Sequence, residues 1–229
     1  MFPRLLQYLT NSQCLILDQR IGNWHDLKYS FMRQGINLQR FLVGDGHLKE
    51  LYQYDHIDVK TLPPIYEDSI NYETWYKSPN PYNAWLSHQK ILRKTLMEGF
   101  QYVFMVEDDV IIEDDFGEIL SKIEPFFDEH KWDAIYFGAY HNPTSWEPTS
   151  NENVIKVKGS GGLHACLLSE PLIQELIQLR PTGPIDWQLG QYFHNKYDCY
   201  AVYPSIISQS SGYSFVENSN LEKPSRYAR

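Results

Sequence analysis

Short apolar runs alternate along this chain with longer segments of helical periodicity, and this alternation restricts the fold more than any other feature of the sequence. The apolar runs have the length of buried strands, and the main ones are Gln13–Asp18, Leu38–Val43, Tyr102–Val106, Asp133–Gly138 and Leu163–Leu168. Between the first two runs, Trp24–Gly35 has apolar residues at helical spacing. This order predicts a βαβ unit within an α/β fold, with a ligand site at the carboxyl ends of parallel strands.

The remaining segments extend the same alternation. We predict helices at Ala84–Gly99, from Asp115 onward, at Glu170–Leu179 and at Ile185–Asn195. We predict further short strands at Val110–Ile112, Val154–Val157, Tyr200–Tyr203 and Ile206–Ser208, and a glycine loop at Gly159–Gly162.

The length of 229 residues is that of a single domain. Residues 47–83 are rich in tyrosine, aspartate and proline and show no sustained period, so we interpret them as a lid or insert. Residues 217–229 form a polar tail. The sequence does not indicate an oligomeric state.

Composition excludes several classes of protein. A formal net charge of −9 argues against a nucleic-acid-binding protein. No apolar run is long enough for a transmembrane segment, and no signal peptide is recognisable. All three cysteines lie in apolar stretches, which favours buried reduced thiols. We therefore expect a cytoplasmic protein, or one at the cytoplasmic face of a membrane.

The residues Glu107-Asp108-Asp109 directly follow the most apolar strand, YVFMV. Three carboxylates at the end of a buried strand repel one another unless a cation binds there. Carboxylate oxygens suit Mg²⁺ or Mn²⁺, which commonly share a diphosphate with the protein. The alternative is an acidic turn with no ligand. A second acidic run, Glu113-Asp114-Asp115, precedes a helix, and we interpret it as structural, with Asp115 and Glu118 forming a capping box.

Several blocks follow one another in an order that is typical of a known family. They are QCLILD with Gln19-Arg20, the run Arg40–Gly46, Ala84-Trp85-Leu86-Ser87-His88, YVFMVEDDV, Leu167-Leu168-Ser169, Pro184-Ile185-Asp186-Trp187, and Pro204, Ile207 and Gln209. In these blocks the chain resembles the family 25 glycosyltransferases, which include lipooligosaccharide and collagen hydroxylysine galactosyltransferases. The resemblance implies a single GT-A type, Rossmann-like domain with a mostly parallel sheet, a nucleotide-sugar donor and a manganese ion.

The resemblance also implies roles for individual residues in donor binding. Leu17, Asp18 and Arg20 would line the nucleotide pocket. Asp45 would contact the ribose or the base, and Ser87 would lie near the donor or support its pocket. Asp18 has a simpler alternative role as a turn cap, and Arg20 as the partner of a surface carboxylate.

The residues implied in catalysis lie later in the chain. Asp109, with Asp108 or Glu107, would hold the metal and the diphosphate. Asp186 is the candidate base, and His88 would lie near the donor. The structural alternatives are a helix N-cap for Asp186 and a packing histidine for His88.

Two positions depart from the family pattern. Gln19 stands where a second basic residue is common, and His164 stands where a small residue or tyrosine is typical. His164 is interpreted as a metal or substrate ligand or as a histidine buried in a strand. No histidine follows Ile207 closely, so the sequence identifies no third protein ligand for the metal.

These observations predict a metal-dependent glycosyltransferase that moves galactose or glucose from a UDP-sugar to a hydroxyl of a glycan or of a hydroxylysine-type peptide, with inversion. The alternative is a catalytically inactive relative that binds but does not transfer. A metal-dependent phosphoesterase or nucleotidyltransferase would require a second carboxylate cluster for a two-metal site.

Overall fold

A computed structural model describes residues 4–17, 22–43, 79–141, 146–179, 184–214 and 219–221. Asp18, Arg20, Asp45 and the part of the predicted lid before residue 79 lie outside the described residues, so their predicted roles stay predictions. The side chain of Leu17 is likewise outside the description, although its backbone is the last residue of a strand.

The centre of the fold is an eight-stranded sheet with the order β2-β1-β3-β8-β5-β9-β7-β6. Its strands are β1 (Ser12–Leu17), β2 (Leu38–Val43), β3 (Tyr102–Glu107), β5 (Ala134–His141), β6 (Trp146–Pro148), β7 (Val154–Val157), β8 (Ser160–Ser169) and β9 (Cys199–Val202). Two antiparallel pairs lie outside this sheet, namely β4 (Val110–Ile112) with β10 (Ile207–Gln209) and β11 (Gly212–Ser214) with β12 (Ser219–Leu221).

Strand direction in the large sheet is mostly uniform. β2, β1 and β3 are parallel neighbours, and so are β5 and β9. β8 is inserted antiparallel between β3 and β5, and β7 is antiparallel to both β9 and β6. Six strands therefore run in one direction and two run in the other.

Helices cover both faces of the sheet. They are a short 3₁₀ helix (Arg4–Thr10), α1 (Trp24–Arg33), α2 (Pro79–Met97), α3 (Phe116–Glu129), α4 (Glu170–Leu176) and α5 (Ile185–Tyr192). The 3₁₀ helix, α1 and α3 pack on one face, while α2, α4 and α5 pack on the other.

The apolar runs of the sequence form strands because they can be buried on both faces. In β3, Phe104 and Val106 join the core on one face, and Val103 and Met105 join the core on the other. All four side chains are fully buried. An uninterrupted apolar strand is what a sheet covered by helices on both faces requires. The predicted fold class is therefore confirmed: an α/β fold with a mostly parallel central sheet flanked by helices.

Several predicted boundaries were wrong. α2 begins at Pro79, five residues before the predicted start, so the last residues of the predicted lid are helical. The predicted glycine loop Gly159–Gly162 is largely strand, because β8 begins at Ser160. Asp115 is the residue before α3, but its side chain makes no capping hydrogen bond, and Glu118 instead pairs with Lys122 at 2.7 Å. The predicted capping box does not form.

Within the residues that the structure describes, no helix has both the length and the apolar character needed to cross a membrane.

Candidate active site

The carboxyl ends of the parallel strands meet at one edge of the sheet, and Glu107, Asp109 and Asp186 lie there. β1 ends at Leu17, β3 at Glu107 and β5 just after Tyr140. β8 starts at the same edge because it runs the other way, and its residue Gly161 lies opposite Tyr140. This is the edge at which open α/β sheets bind ligands.

Two of the three predicted acidic residues converge on one point. The side-chain amide Nε2 of Gln209 lies 3.2 Å from Oε2 of Glu107 and 3.2 Å from each carboxylate oxygen of Asp109. The amide N–H groups donate to both side chains, so they offset part of the repulsion between the two negative charges. Glu107 and Asp109 therefore face each other across a single shared donor.

Local strand pairing holds Gln209 in this position. β10 pairs with β4 so that Gln209 lies opposite Val110, the residue after Asp109. The backbone N–H of Ser210 donates to the carbonyl oxygen of Asp109 at 2.7 Å. Two backbone segments about 100 residues apart in sequence are thus joined directly beside the carboxylates.

Asp108 differs from its two neighbours. Its side chain is only 8% exposed, and the hydrogen bonds of Gln209 go to Glu107 and Asp109. Burial raises the pKa of the Cys14 thiol, and the carboxylate of Asp108 raises it further, ahead of Glu107 and Asp109. Asp108 is thus buried, whereas Glu107 and Asp109 are partly exposed.

Tyr140 extends the site away from the carboxylates. Its hydroxyl donates a hydrogen bond to Oε1 of Gln209. Burial raises the pKa of Tyr140 to about 12, and the charges of Glu107 and Asp109 contribute to the increase. The tyrosine is therefore a neutral hydrogen-bond donor at physiological pH, and 38% of the residue is exposed.

Two glycines allow the strands to approach closely beneath Tyr140. A Cβ on Gly138 would lie 2.2 Å from the carbonyl oxygen of Ile207 and 2.5 Å from Nε2 of His164, so only glycine fits. Gly162 has a φ of +79°, and a Cβ there would lie 3.0 Å from Cδ2 of Tyr140. His164 is buried in β8, and its ring centroid lies 5.3 Å from that of Tyr140. This position fits the interpretation as a histidine buried in a strand, and the alternative of a metal or substrate ligand stays a prediction.

Asp186 lies in the first turn of α5 and faces β8. Its Oδ2 accepts a hydrogen bond of 2.7 Å from the backbone N–H of Gly162. Pro184 occupies the N-cap position of α5, and Asp186 follows one residue inside the helix. The alternative role of Asp186 as a helix N-cap is therefore wrong.

His88 is buried on α2 near Asp186. Its Nδ1–H donates to the carbonyl oxygen of Ala84 at 2.8 Å, and its Nε2 has no hydrogen-bond partner among the described residues. Burial lowers the pKa of His88, which outweighs the opposing effects of the Ala84 hydrogen bond and the charge of Asp186. The ring is therefore neutral at pH 7, with a lone pair on Nε2. Ser87 is also buried, with 3% of the residue exposed.

A buried hydrogen bond fixes the two helices that carry these residues. Nε1 of Trp85 on α2 donates to Oε1 of Gln188 on α5 at 2.9 Å. Both side chains are buried, so the pair would be costly to separate. His88 and Asp186 each lie within three residues of this bond, on their respective helices.

The structure thus brings the predicted carboxylates and the predicted base to the same edge of the sheet. Hydrogen bonds join Glu107 and Asp109 to Gln209 and Gln209 to Tyr140, and a separate hydrogen bond joins Asp186 to Gly162. Sequence reasoning did not predict the roles of Gln209 and Tyr140. Gln209 lies in the last block that resembles family 25, which was a signal, whereas nothing distinguishes Tyr140 from the other 16 tyrosines.

The donor set at Glu107 and Asp109 fits a hard divalent cation. Three carboxylate oxygens surround one polar hydrogen-bond donor, and such oxygens are the ligands that Mg²⁺ and Mn²⁺ prefer. Within the described ranges, no group of three or more histidine, cysteine, aspartate or glutamate side chains is arranged to hold a metal. A cation at this site would therefore bind to the two carboxylates and to neutral oxygen ligands, and not to three or more charged side chains.

No protein-family model matches this chain, and no curated protein sequence is similar to it. Its membership of glycosyltransferase family 25 therefore stays a prediction.

The solved structures that are similar to this chain include three at low sequence identity. A197 from STIV is 13% identical, with a TM-score of 0.43 and coverage of 96% of this chain and 97% of that chain. A glycosyltransferase involved in the glycosylation of the major capsid of PBCV-1 is 9% identical, with a TM-score of 0.44 and coverage of 91% and 96%. UDP-glucose pyrophosphorylase complexed with UDP-glucose is 10% identical, with a TM-score of 0.40 and coverage of 86% and 77%. At TM-scores below 0.5 these likenesses assign no substrate and no residue role to this chain.

Proposed function

We propose that this protein is a metal-dependent glycosyltransferase that transfers a hexose, galactose or glucose, from a UDP-sugar to an acceptor hydroxyl. The observation that supports this function best is that the Glu107–Asp109 pair and Asp186 lie at the same carboxyl edge of the sheet, the pair at the end of β3 and Asp186 bonded to Gly162 near the start of β8. Such a site offers carboxylates for a cation and its diphosphate on one side and a proton acceptor on the other. The acceptor is a glycan or a hydroxylysine-type peptide.

Glu107 and Asp109 would hold the divalent cation, Mn²⁺ or Mg²⁺, and Asp108 would support them from its buried position. When bound, the cation would offset the negative charge of the departing UDP. Residues 17, 18, 20 and 45 would bind the nucleotide, as the family resemblance implies, and Ser87 would support that pocket.

Asp186 would act as the base of an inverting displacement. Its carboxylate would accept the proton of the acceptor hydroxyl while that oxygen forms a bond to the anomeric carbon and the bond from this carbon to the diphosphate breaks. The Gly162 N–H fixes Oδ2 of Asp186 and thereby fixes the direction of the carboxylate. His88 is neutral, so it would position the donor or the carboxylate through a hydrogen bond to Nε2 and would not supply a positive charge.

The part of the predicted lid before α2, residues 47–78, would close over the donor and exclude water, since water would otherwise hydrolyse the donor. The three cysteines, Cys14, Cys166 and Cys199, are free and buried, which fits a protein of the reducing cytoplasm.

The hydrogen bonds of Gln209 favour the alternative of an inactive binding protein. Clustered carboxylates are costly when no cation offsets their charge, and this cost alone would argue for a working metal site. The amide of Gln209, however, already offsets the charges of Glu107 and Asp109. The fold therefore tolerates this pair without a metal, and metal binding requires a direct measurement.

The test combines donor binding with turnover. A panel of nucleotide sugars with Mn²⁺ should raise the melting temperature for one UDP-sugar, because a ligand that binds the native state stabilises it by mass action. Release of UDP from that sugar should require Mn²⁺. An inactive binding protein would give the thermal shift without any UDP release, and the absence of both would refute the proposed function.

Two substitutions separate the roles of the carboxylates. Asp109→Asn should abolish metal-dependent donor binding, whereas the same change at exposed Asp114 in the second acidic run should leave binding unchanged. Asp186→Asn should retain donor binding, because the amide oxygen can still accept from Gly162 N–H, but should lose transfer by a factor of about 100 or more. Full turnover in Asp186→Asn would mean that another residue is the base.

A further inference from the structure

We propose that Gln209 is a protein ligand of the cation at the Glu107–Asp109 pair, and that its amide takes the place of that cation when none is bound. This role depends on the proposed function, since it assumes that the carboxylate pair binds a divalent cation. It supplies the third protein ligand that the sequence did not identify.

The first argument is the position of the amide nitrogen. Nε2 of Gln209 lies 3.2 Å from Oε2 of Glu107 and 3.2 Å from both oxygens of Asp109. Three oxygens from two charged side chains thus surround one nitrogen that bears partial positive charge. The nitrogen thus occupies the point between the two carboxylates where a cation would lie, at hydrogen-bonding distances.

The second argument is that the amide can present either end to the same point. A half-turn about the terminal torsion of Gln209 exchanges Oε1 and Nε2 at little cost, since this torsion is broad and roughly two-fold. The carbonyl oxygen would then face the carboxylates as a neutral oxygen ligand, which a divalent cation accepts. Two negative carboxylates favour the nitrogen, whereas a cation between them would favour the oxygen.

The third argument is that Tyr140 can satisfy both orientations. Its hydroxyl donates to Oε1 of Gln209 in the structure. After the half-turn the same hydroxyl would accept a hydrogen bond from Nε2, because a phenol both donates and accepts. A phenol is protonated at neutral pH, so this exchange involves no change of charge.

The backbone keeps the side chain within reach of the pair in either orientation. Gln209 pairs with Val110 across the β4–β10 ladder, and Ser210 N–H bonds to the carbonyl of Asp109 at 2.7 Å. The distance between Gln209 and the carboxylates is therefore set by strand pairing and not by the amide itself. A residue held in this way costs little further entropy when it becomes a ligand.

The test is the affinity for Mn²⁺ alone, without nucleotide, measured by titration calorimetry. Gln209→Leu keeps the approximate volume but removes the oxygen ligand, and it should weaken Mn²⁺ binding about 10-fold. Gln209→Glu provides a charged oxygen at the same reach, and it should tighten binding about 10-fold. The control is Gln101→Glu, which adds the same charge on an exposed residue at the opposite end of β3 and should leave the affinity unchanged.

The outcomes separate this inference from the proposed function. Suppose that the wild-type protein binds Mn²⁺ and that Asp109→Asn does not. If Gln209→Leu then binds Mn²⁺ as tightly as the wild type or more tightly, Gln209 is at most a competitor of the cation and the inference is wrong. If wild-type protein binds no Mn²⁺, the metal dependence of the proposed function fails first. Should Gln209→Leu not fold, Gln209→Glu decides, because an unchanged affinity in that variant also overturns the role.

Discussion

At the scale of single residues, the site depends on neutral groups placed beside charges. Gln209 donates to Glu107 and Asp109, Tyr140 donates to Gln209, and the Gly162 N–H donates to Asp186. Each of these carboxylates thus has a defined direction. Fixed neutral donors leave the negative charge available for a cation or a proton, which paired basic side chains would not do.

His88 gives a prediction about pH. Burial lowers the pKa of His88 below its ordinary value of 6.5, so the native state resists a proton that the unfolded state accepts. Below pH 6.5 the unfolded state binds more protons at this site, and stability falls as the pH falls; above pH 6.5 the site contributes no pH dependence. The loss at pH 5.5 is at most about 1.4 kcal/mol, the value of one pH unit.

The comparison is with His88→Asn, whose amide nitrogen can replace Nδ1 as the donor to Ala84. Chemical denaturation at pH 7.5 and pH 5.5 should show a smaller loss of stability in the variant than in the wild type. Because the other histidines are the same in both proteins, their titration cancels in the difference. Equal losses in the two proteins would contradict a buried neutral His88.

At the scale of helices and strands, local patterns predicted the elements where burial and propensity agree. β2, β4 and β7 have the predicted bounds, because apolar runs between polar turns can only be strands here. The first turn of α2 was missed because Pro79 and Pro81 resemble a loop, although proline is well accommodated in the first turn of a helix.

The start of β8 was missed for a related reason. Glycine runs are typical of turns, but Gly161 and Gly162 lie in a strand that must pass close to Tyr140 and Asp186. The same limit applies to the site. The acidic residues were visible as a local motif, whereas Gln209 reaches them through an antiparallel pairing that spans 100 residues of sequence. Local periodicity contains no information about such a pairing.

Gly138 gives a prediction at this scale. Gly138→Ala would place a Cβ 2.2 Å from the backbone carbonyl oxygen of Ile207, in a contact that a shift of β5 or β10 must relieve. The substitution should destabilise the protein by about 3 kcal/mol. Because Gln209 is two residues from Ile207 on the same strand, Mn²⁺ binding should weaken as well.

The control for this change is Gly117→Ala in α3, where an added Cβ has nothing within 4 Å. That substitution should stabilise the protein by about 0.5–1 kcal/mol, since alanine is the better helix former. Urea denaturation of both variants measures the difference. A Gly138→Ala protein as stable as the wild type would show that β10 does not pack against β5 as described.

At the scale of the whole molecule, one sheet separates two hydrophobic cores. One core contains side chains of α1 and α3, and the other contains side chains of α2, α4 and α5. Each central strand contributes alternate residues to both cores, as β3 and β5 do. Neither core can therefore be lost without loosening the strands that support the other, and we expect the two to unfold together.

The three cysteines are divided between the two cores, so the reactivity of their thiols shows when each core opens. Cys14 in β1 belongs to the core beside α1 and α3, while Cys166 in β8 and Cys199 in β9 belong to the opposite core. All three are 0% exposed, and burial raises the pKa of each thiol, so little thiolate exists in the native state. Because the thiolate is the reactive form, native protein should not react with a thiol-specific disulfide reagent, and fully unfolded protein should release three equivalents.

At intermediate urea concentrations the three thiols should become reactive together, with the same midpoint as the loss of far-ultraviolet circular dichroism. Single-cysteine proteins, in which the other two thiols are replaced by alanine, assign each reaction to one core. If Cys14 became reactive at a lower urea concentration than Cys166 and Cys199, the core beside α1 and α3 would open separately. The sheet would then join two units of different stability, and the single-domain organisation predicted for residues 1–229 would be wrong.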